Sequence, residues 1–460
     1  MKKSLLVILA LVMMAASLGA QDFIIANGAE PASLDPALMT DTTSSNINLA
    51  LMEGLMVYDP RTSKGIPGLA ESYTTSPDGK VVTFKIRKAL WSDGTPVKAQ
   101  DFVYGWLRTL APETASDYAY MLGMVIKGAD AYNSGKGKAE DVGVKALDDQ
   151  TLEVTLVGPA AYFADMTCHQ SFNPAPKWAI DKLGNQWTKP GNYVGTGPYN
   201  LKEWKPQDYI LVEKNAKYWD AKNVKINSIK YLASDNSTTN YKMYKSGAVD
   251  WQSGITLDLI DEIVLRKDYQ VSARFGTYYL SFNDSKAPFN NVNVRKAFAS
   301  AIDKKTLVEK VLKGGQIPTD EFSPAMAGYT PQQGVGFNVA AAKKYLADGG
   351  YPDGKGFPPL TYVYNTNEGH KKIAEYLQQQ LKANLGIDIT LQNMEWNSFL
   401  SMRAKHDYLF ARHGWIGDYL DPNTMLDLFV TGGGNNDGVY SNPPSTRPLK
   451  APSWPRATCA

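Results

Sequence analysis

The chain has 460 residues, 43% hydrophobic and 20% charged, a globular composition that excludes a disordered tail protein and a small disulfide-stapled scaffold and leaves room for two to four domains. The formal charge of +2 comes from the ends. Lys2, Lys3, Arg447, Lys450 and Arg456 lie there, and without them 43 basic residues face 46 acidic ones, a body near about −3 that argues against a nucleic-acid partner. In chain order, Lys2 and Lys3 followed by an apolar run from Leu5 to Leu18 and small residues at Ser17, Gly19 and Ala20 predict a cleaved secretory signal over 1–20. No cysteine stands near the cleavage point, so an exported protein without a lipid anchor is expected, and no later stretch is apolar for long enough to span a membrane. Alternation of Val82, Phe84 and Ile86, and of Leu152, Val154 and Leu156, with polar residues predicts two half-buried strands. Between them Phe102, Val103, Trp106, Leu107 and Leu110 predict a helix, with Thr95-Pro96 as its start signal. Further on, Ile373, Leu377, Leu381 and Leu385 predict a helix ending at Gly386, followed by a strand through Ile387, Ile389 and Leu391. Helix and strand in succession, without a repeat period, indicate an α/β protein of more than one lobe.

Signatures of catalysis are missing. No phosphate-binding loop, His-Glu-x-x-His, Cys-x-x-Cys or Gly-x-Ser-x-Gly occurs, and the four histidines, His169, His370, His406 and His413, suit no common zinc spacing. No cofactor or metal is implied. Cys168 reads as a small buried hydrophobe. Acid pairs assembled from distant positions leave no trace in a sequence, so a secreted hydrolase stays as a competing class.

A series of blocks then carries a resemblance: Leu34-Asp35-Pro36, Glu53-Gly54-Leu55, Gly68-Leu69-Ala70-Glu71-Ser72, Trp91-Ser92-Asp93-Gly94-Thr95-Pro96-Val97, Gly195-Thr196-Gly197-Pro198-Tyr199, Ala287-Pro288-Phe289 and Gly350-Tyr351-Pro352-Asp353-Gly354. In order and spacing, from about residue 23 to 442, the chain resembles the extracytoplasmic solute-binding proteins, family 5, of peptide ABC importers, in particular their oligopeptide binders. The resemblance implies a two-lobed periplasmic-binding-protein fold of type II with an inserted domain. Lobe one would comprise 21–52 and 173–275, the insert 53–172, and lobe three 276–442. It also implies a monomeric, non-enzymatic periplasmic subunit that closes over a peptide ligand and hands it to permease subunits in the inner membrane. Relatives that carry dipeptides, murein peptides, an oligosaccharide or a nickel chelate are the alternatives.

A peptide buried between lobes needs a carboxylate for its amine and a cation for its carboxylate. The family's Trp-x-x-Asp-Tyr turn falls on Trp415-Ile416-Gly417-Asp418-Tyr419, which assigns the amine to Asp418. By the same resemblance Arg412, Arg403 and His370 are basic groups for the ligand carboxylate, with Lys310 a fourth for which Lys313 is the alternative. Trp396 and Trp415 would wall the side-chain pockets, the remaining aromatic residues being core. Main chain at Thr40-Asp41-Thr42 and Gly414-Trp415-Ile416 would pair with the ligand backbone. The chain departs from the family at three points. Gly276 and Ile416 stand where some members carry a site disulfide, Thr40 stands where some carry a glutamate, and 443–460, proline-rich and without acidic residues, reads as an aberrant tail of the kind a frameshift produces.

Overall fold

Alternating side chains of the inserted segment set the first sheet in the computed structural model, which describes residues 22–442; the expected leader and tail lie outside the described residues. Strands Ala70–Thr75, Val81–Ile86, Thr151–Thr155 and Val144–Asp148 pair antiparallel in that spatial order. Val82 lies opposite Val154 and Phe84 opposite Leu152, so the apolar sets share one face and bury it against the helix Ala99–Leu110. That helix begins three residues after its expected start signal. Pro96 bridges Leu90 and the Val97 N–H donates to Ala89, so this stretch is held as a bridge and Lys98 becomes the cap, its N–H donating to Asp101 Oδ2 at 2.9 Å.

A five-stranded sheet forms from Trp251–Gln252, Phe23–Gly28, Ser228–Ala233, Tyr209–Lys214 and Tyr199–Lys205, in that order. A third sheet orders Gly276–Phe282, Phe410–Ile416, Leu360–Asn365 and Ile389–Met394. Here the helix Glu368–Leu385 ends at Gly386, whose φ of 72° suits a residue without a side chain. Strand pairing starts at Ile389 rather than at Ile387, because the Ile387 N–H turns back to the Leu381 carbonyl to close the helix end.

Two large cores result, and one strand crosses between them. Phe410, at its start, packs with Phe289, Phe298 and Leu377; Trp415, at its end, joins the core that fills the first sheet and the insert, together with Tyr419, Met425 and Leu428. Tyr419 stacks on Tyr162 of the inserted segment, centroids 5.3 Å apart. The segment 415–428 is therefore docked against the other body of the molecule. The insert is pinned to the five-stranded side by a buried fork: Arg108 donates to both oxygens of Asp35 at 2.9 and 2.6 Å. Replacing Arg108 by alanine leaves the Asp35 charge buried, and a loss of about 3 kcal/mol is expected. The check is the urea midpoint by tryptophan fluorescence, and a paired Arg108→Met and Asp35→Leu variant should recover most of the loss.

Candidate functional site

Where the docked segment meets the inserted sheet, a cavity of about 790 Å³ opens between the two bodies. Its walls come from the start of the helix Thr42–Leu51, from the insert, from the strand Phe410–Ile416 with the turn after it, and from the loop 431–441.

Asp418 sits just past the strand. Its N–H donates to Thr424 Oγ1 at 3.0 Å and its carbonyl accepts from the Tyr58 hydroxyl at 2.7 Å, so its backbone is held from both sides of the cavity. Before it, Gly417 packs under the Phe275 ring, which occupies the space a Cβ would need. Asp418 Oδ1 lies 3.5 Å from His169 Nε2, while Oδ2 has no hydrogen-bond partner among the described residues. Burial pushes the carboxyl up to about 8. It also brings His169 down to about 3. His169 Nδ1 accepts from the Ser171 N–H at 3.3 Å, so Nε2 carries the proton and faces Asp418 as a neutral donor. The Asp418 carboxyl thus has one polar neighbour and no ion pair with a lysine or arginine among the described residues.

The opposite charge comes from the strand itself. Arg412 lies over the Tyr278 ring at 5.2 Å, its Nε has no partner, and it makes no ion pair among the described residues. Beyond Ala411 the strand pairs only with Gly276–Phe282; its other edge, along 412–416, meets no strand among the described residues. That edge is open to an added strand. Gly276 and Ile416 are directly opposite in the ladder, a plain strand pair. At the far wall Thr40 and Thr42 line the cavity, whereas Asp41 between them is spent as a helix cap, accepting from the Ser44 N–H and hydroxyl at 3.0 and 2.6 Å.

The structure brings Asp418, Arg412, Arg403, Trp415, Trp396, Gly414, Thr40 and Thr42 to one cavity, and leaves His370 and Lys310 off its lining. His370 stands beside Tyr278, its Nδ1 3.3 Å from the hydroxyl, and burial together with the Arg412 charge holds its pKa well below the ordinary value. The expectation of a basic group there is corrected to a neutral ring. Lys310 is solvent-exposed on the segment Leu307–Leu312, and Lys313 is engaged with Asp261 at 3.0 Å. Arg403 reaches the cavity with its charge already met: Nε donates to Asp437 Oδ2 at 3.0 Å and Nη2 to the same oxygen. The expectation that only Trp396 and Trp415 among the aromatic residues approach the site is also corrected. Tyr58, Tyr118, Tyr278 and Tyr440 line the cavity, and Tyr118 stacks on Trp415 with centroids 6.3 Å apart. Tyr58, Tyr118, His169 and Asp437 escaped the sequence reading because no local motif marks them.

Residues 64–437 match the family described as bacterial extracellular solute-binding proteins, family 5 Middle. The periplasmic oligopeptide-binding protein OppA of Salmonella typhimurium is 38% identical over 431 residues, covering 91% of this chain and 78% of that protein. The crystal structure of Haemophilus influenzae OppA in complex with RPPGFSPFR is 37% identical, with a TM-score of 0.88 over 93% of this chain and 86% of that one. The murein tripeptide binding protein MppA of Escherichia coli gives 0.88 in one structure, at 34% identity and covering 93% and 85% of the two chains. In its unliganded open form it gives only 0.61, at 33% identity and covering 93% and 84%. The two bodies of this chain thus stand in the arrangement of the peptide complex rather than that of the open form.

The raised Asp418 pKa has a sign that can be tested. The folded state keeps a proton that the unfolded chain releases near its ordinary value of 3.8, so this group's contribution to stability is lost as pH rises from about 4 to about 8. An Asp418→Asn variant is expected to show a flatter fall of stability over that window than the parent in urea titrations of the ligand-free protein. Identical slopes would contradict the burial of the carboxyl.

Proposed function

The chain belongs to the bacterial extracellular solute-binding proteins, family 5, and from that premise we propose that it is the peptide-binding subunit of an ABC importer, taking oligopeptides by their termini and backbone. One observation carries the reading: one cavity holds a buried carboxylate oxygen on Asp418 and a guanidinium on Arg412, neither with an ionic partner among the described residues apart from a neutral histidine. A zwitterion supplies both missing charges. Its amine pairs with Asp418 and its carboxylate with the fork of Arg412, while its backbone adds to the open edge at Gly414-Trp415-Ile416. Main-chain pairing reads no side chains, and the aromatic walls of Trp396 and Trp415 accept many shapes, so weak sequence preference follows.

The wider assignments rest on the same premise. Residues 21–52 with 173–275 act as one lobe, 53–172 as the insert and 276–442 as the second lobe, in keeping with sheet membership. The lobes close over the ligand by a hinge and present it to the permease in the inner membrane, the subunit working as an exported monomer in the periplasm. No helix among the described residues is long and apolar enough to cross a membrane. Binding without turnover is the role, and no cofactor enters it.

Mass spectrometry of ligands eluted from protein purified under native conditions tests the reading: short peptides are expected, and a sugar or nickel complex in their place would overturn it. Asp418→Ala is expected to weaken peptide binding at least about tenfold, or 1.4 kcal/mol, by calorimetry, and Arg412→Ala to do the same for peptides with a free carboxylate. Unchanged affinity in the first variant removes the amine anchor.

A further inference from the structure

Past the Asp418 turn the chain buries a second carboxyl that the peptide site does not use. Asp427 opens the short turn Asp427–Phe429 directly after the helix Asn423–Leu426, and its carbonyl accepts from the Val430 N–H at 3.1 Å. Met425 and Leu428 beside it belong to the core shared with the insert, so its side chain is carried into the contact between the two bodies, where the residue is only 6% exposed. Both carboxyl oxygens are shut off from solvent, and neither has a hydrogen-bond partner among the described residues. The surroundings are phenolic and acidic. Tyr118, Tyr120 and Tyr162 of the insert feel its charge, as does Tyr419 on its own side, and Asp418 acts on it from the turn. Tyr118 stacks on Tyr120 at 5.9 Å and Tyr162 on Tyr419 at 5.3 Å, so rings from both bodies wall the carboxyl. Asp421 stands near Tyr162, and the ring of the neutral His169 lies against Tyr118. No lysine or arginine is among the groups that act on Asp427: Arg403, which acts on Tyr118, is taken by Asp437, and Arg412 and Arg274 line the peptide cavity, to which Asp427 does not belong. Burial and the Asp418 charge hold its pKa well above the ordinary value, and the Leu428 N–H does not offset them.

We propose that Asp427 is a proton-binding site at the contact between the two bodies, and that closure over a peptide takes up one proton there. With the bodies apart, the three tyrosines of the insert no longer cover Asp427, and water lets it ionise. With the bodies together, nothing on either side holds the charge, so the carboxylate takes a proton from solvent and closes as the neutral acid. The ligand does not relieve it, because the peptide amine goes to Asp418 and Asp427 lies off the cavity lining. The site rests on the peptide-binding reading and adds a pH dependence to it. Since the proton favours the closed form, affinity is fully present below the carboxyl's ordinary value of 3.8 and is lost as pH rises above it.

The test is calorimetry of alanine tri-, tetra- and pentapeptides on the full chain and on Asp427→Asn, at pH 5, 6 and 7, below the range in which the peptide amine titrates. Asparagine keeps the shape of the protonated carboxyl and cannot ionise, and other titrating groups cancel in the comparison. Parent affinity is expected to fall up to about tenfold per pH unit relative to the variant, so that at pH 7 the variant binds at least about tenfold more tightly. Titrations at pH 6.5 in two buffers of different ionisation heat read the proton directly: the parent is expected to take up about one proton more per peptide bound than the variant. Parallel pH profiles, or equal proton uptake in the two proteins, overturn the proton site while leaving the peptide reading intact. Failure of every peptide to bind either protein at any pH overturns both.

Discussion

Taking a carboxylate out of water without giving it a cation costs several kcal/mol, and much of this molecule is arranged around the point where it does so. Asp418 is fixed by its own backbone, whose N–H is held by Thr424 and whose carbonyl is held by Tyr58 of the inserted segment. The side chain cannot swing out to solvent without undoing a contact between the two bodies. His169, kept neutral by burial, offers a dipole but no charge. In this closed arrangement burial keeps the proton on the empty site's carboxyl, pushed up to about 8, and a ligand amine is what lets it ionise. Affinity and closure then draw on the same interaction, because the contacts that bury Asp418 are the ones that bring the bodies together.

The strand Phe410–Ile416 makes this possible mechanically. It begins in the core built on Phe289 and Phe298 and ends in the core of the opposite body, so it carries Arg412, an open backbone edge and the Asp418 turn along one continuous element. A rigid element spaces the charge receptors; loops and water can fit the rest. Breadth toward side chains and strictness toward termini are compatible for this reason.

What the sequence revealed and what it hid divide along physical lines. The helix stop at Gly386 and the strands through Val82 and Leu152 were legible because the residues that determine them are neighbours in the chain, whereas the Trp415-to-Tyr419 turn was legible only through the family resemblance. The start of the helix at Ala99 and of the strand at Ile389 shifted by two to three residues because local hydrogen bonds, those of Val97 and Ile387, took up backbone that periodicity alone would have assigned to the element. Site chemistry was legible as residue types and illegible as charge states. Arg403 and Arg412 look alike in the sequence; only the fold brings Asp437 to one and not to the other. His370 looks like a cation until its burial beside Arg412 is seen. Tyr58 and His169 reach Asp418 across some 250 to 360 residues of chain, a distance over which spacing holds no information.

The central claim is that a peptide's charged amine completes the site by pairing with Asp418. Calorimetric titration with one alanine pentapeptide, in free and N-acetylated forms that differ in little besides that charge, tests it most directly. The account predicts that acetylation weakens binding by about a hundredfold, or roughly 2.7 kcal/mol. Equal affinity of the two forms would contradict it.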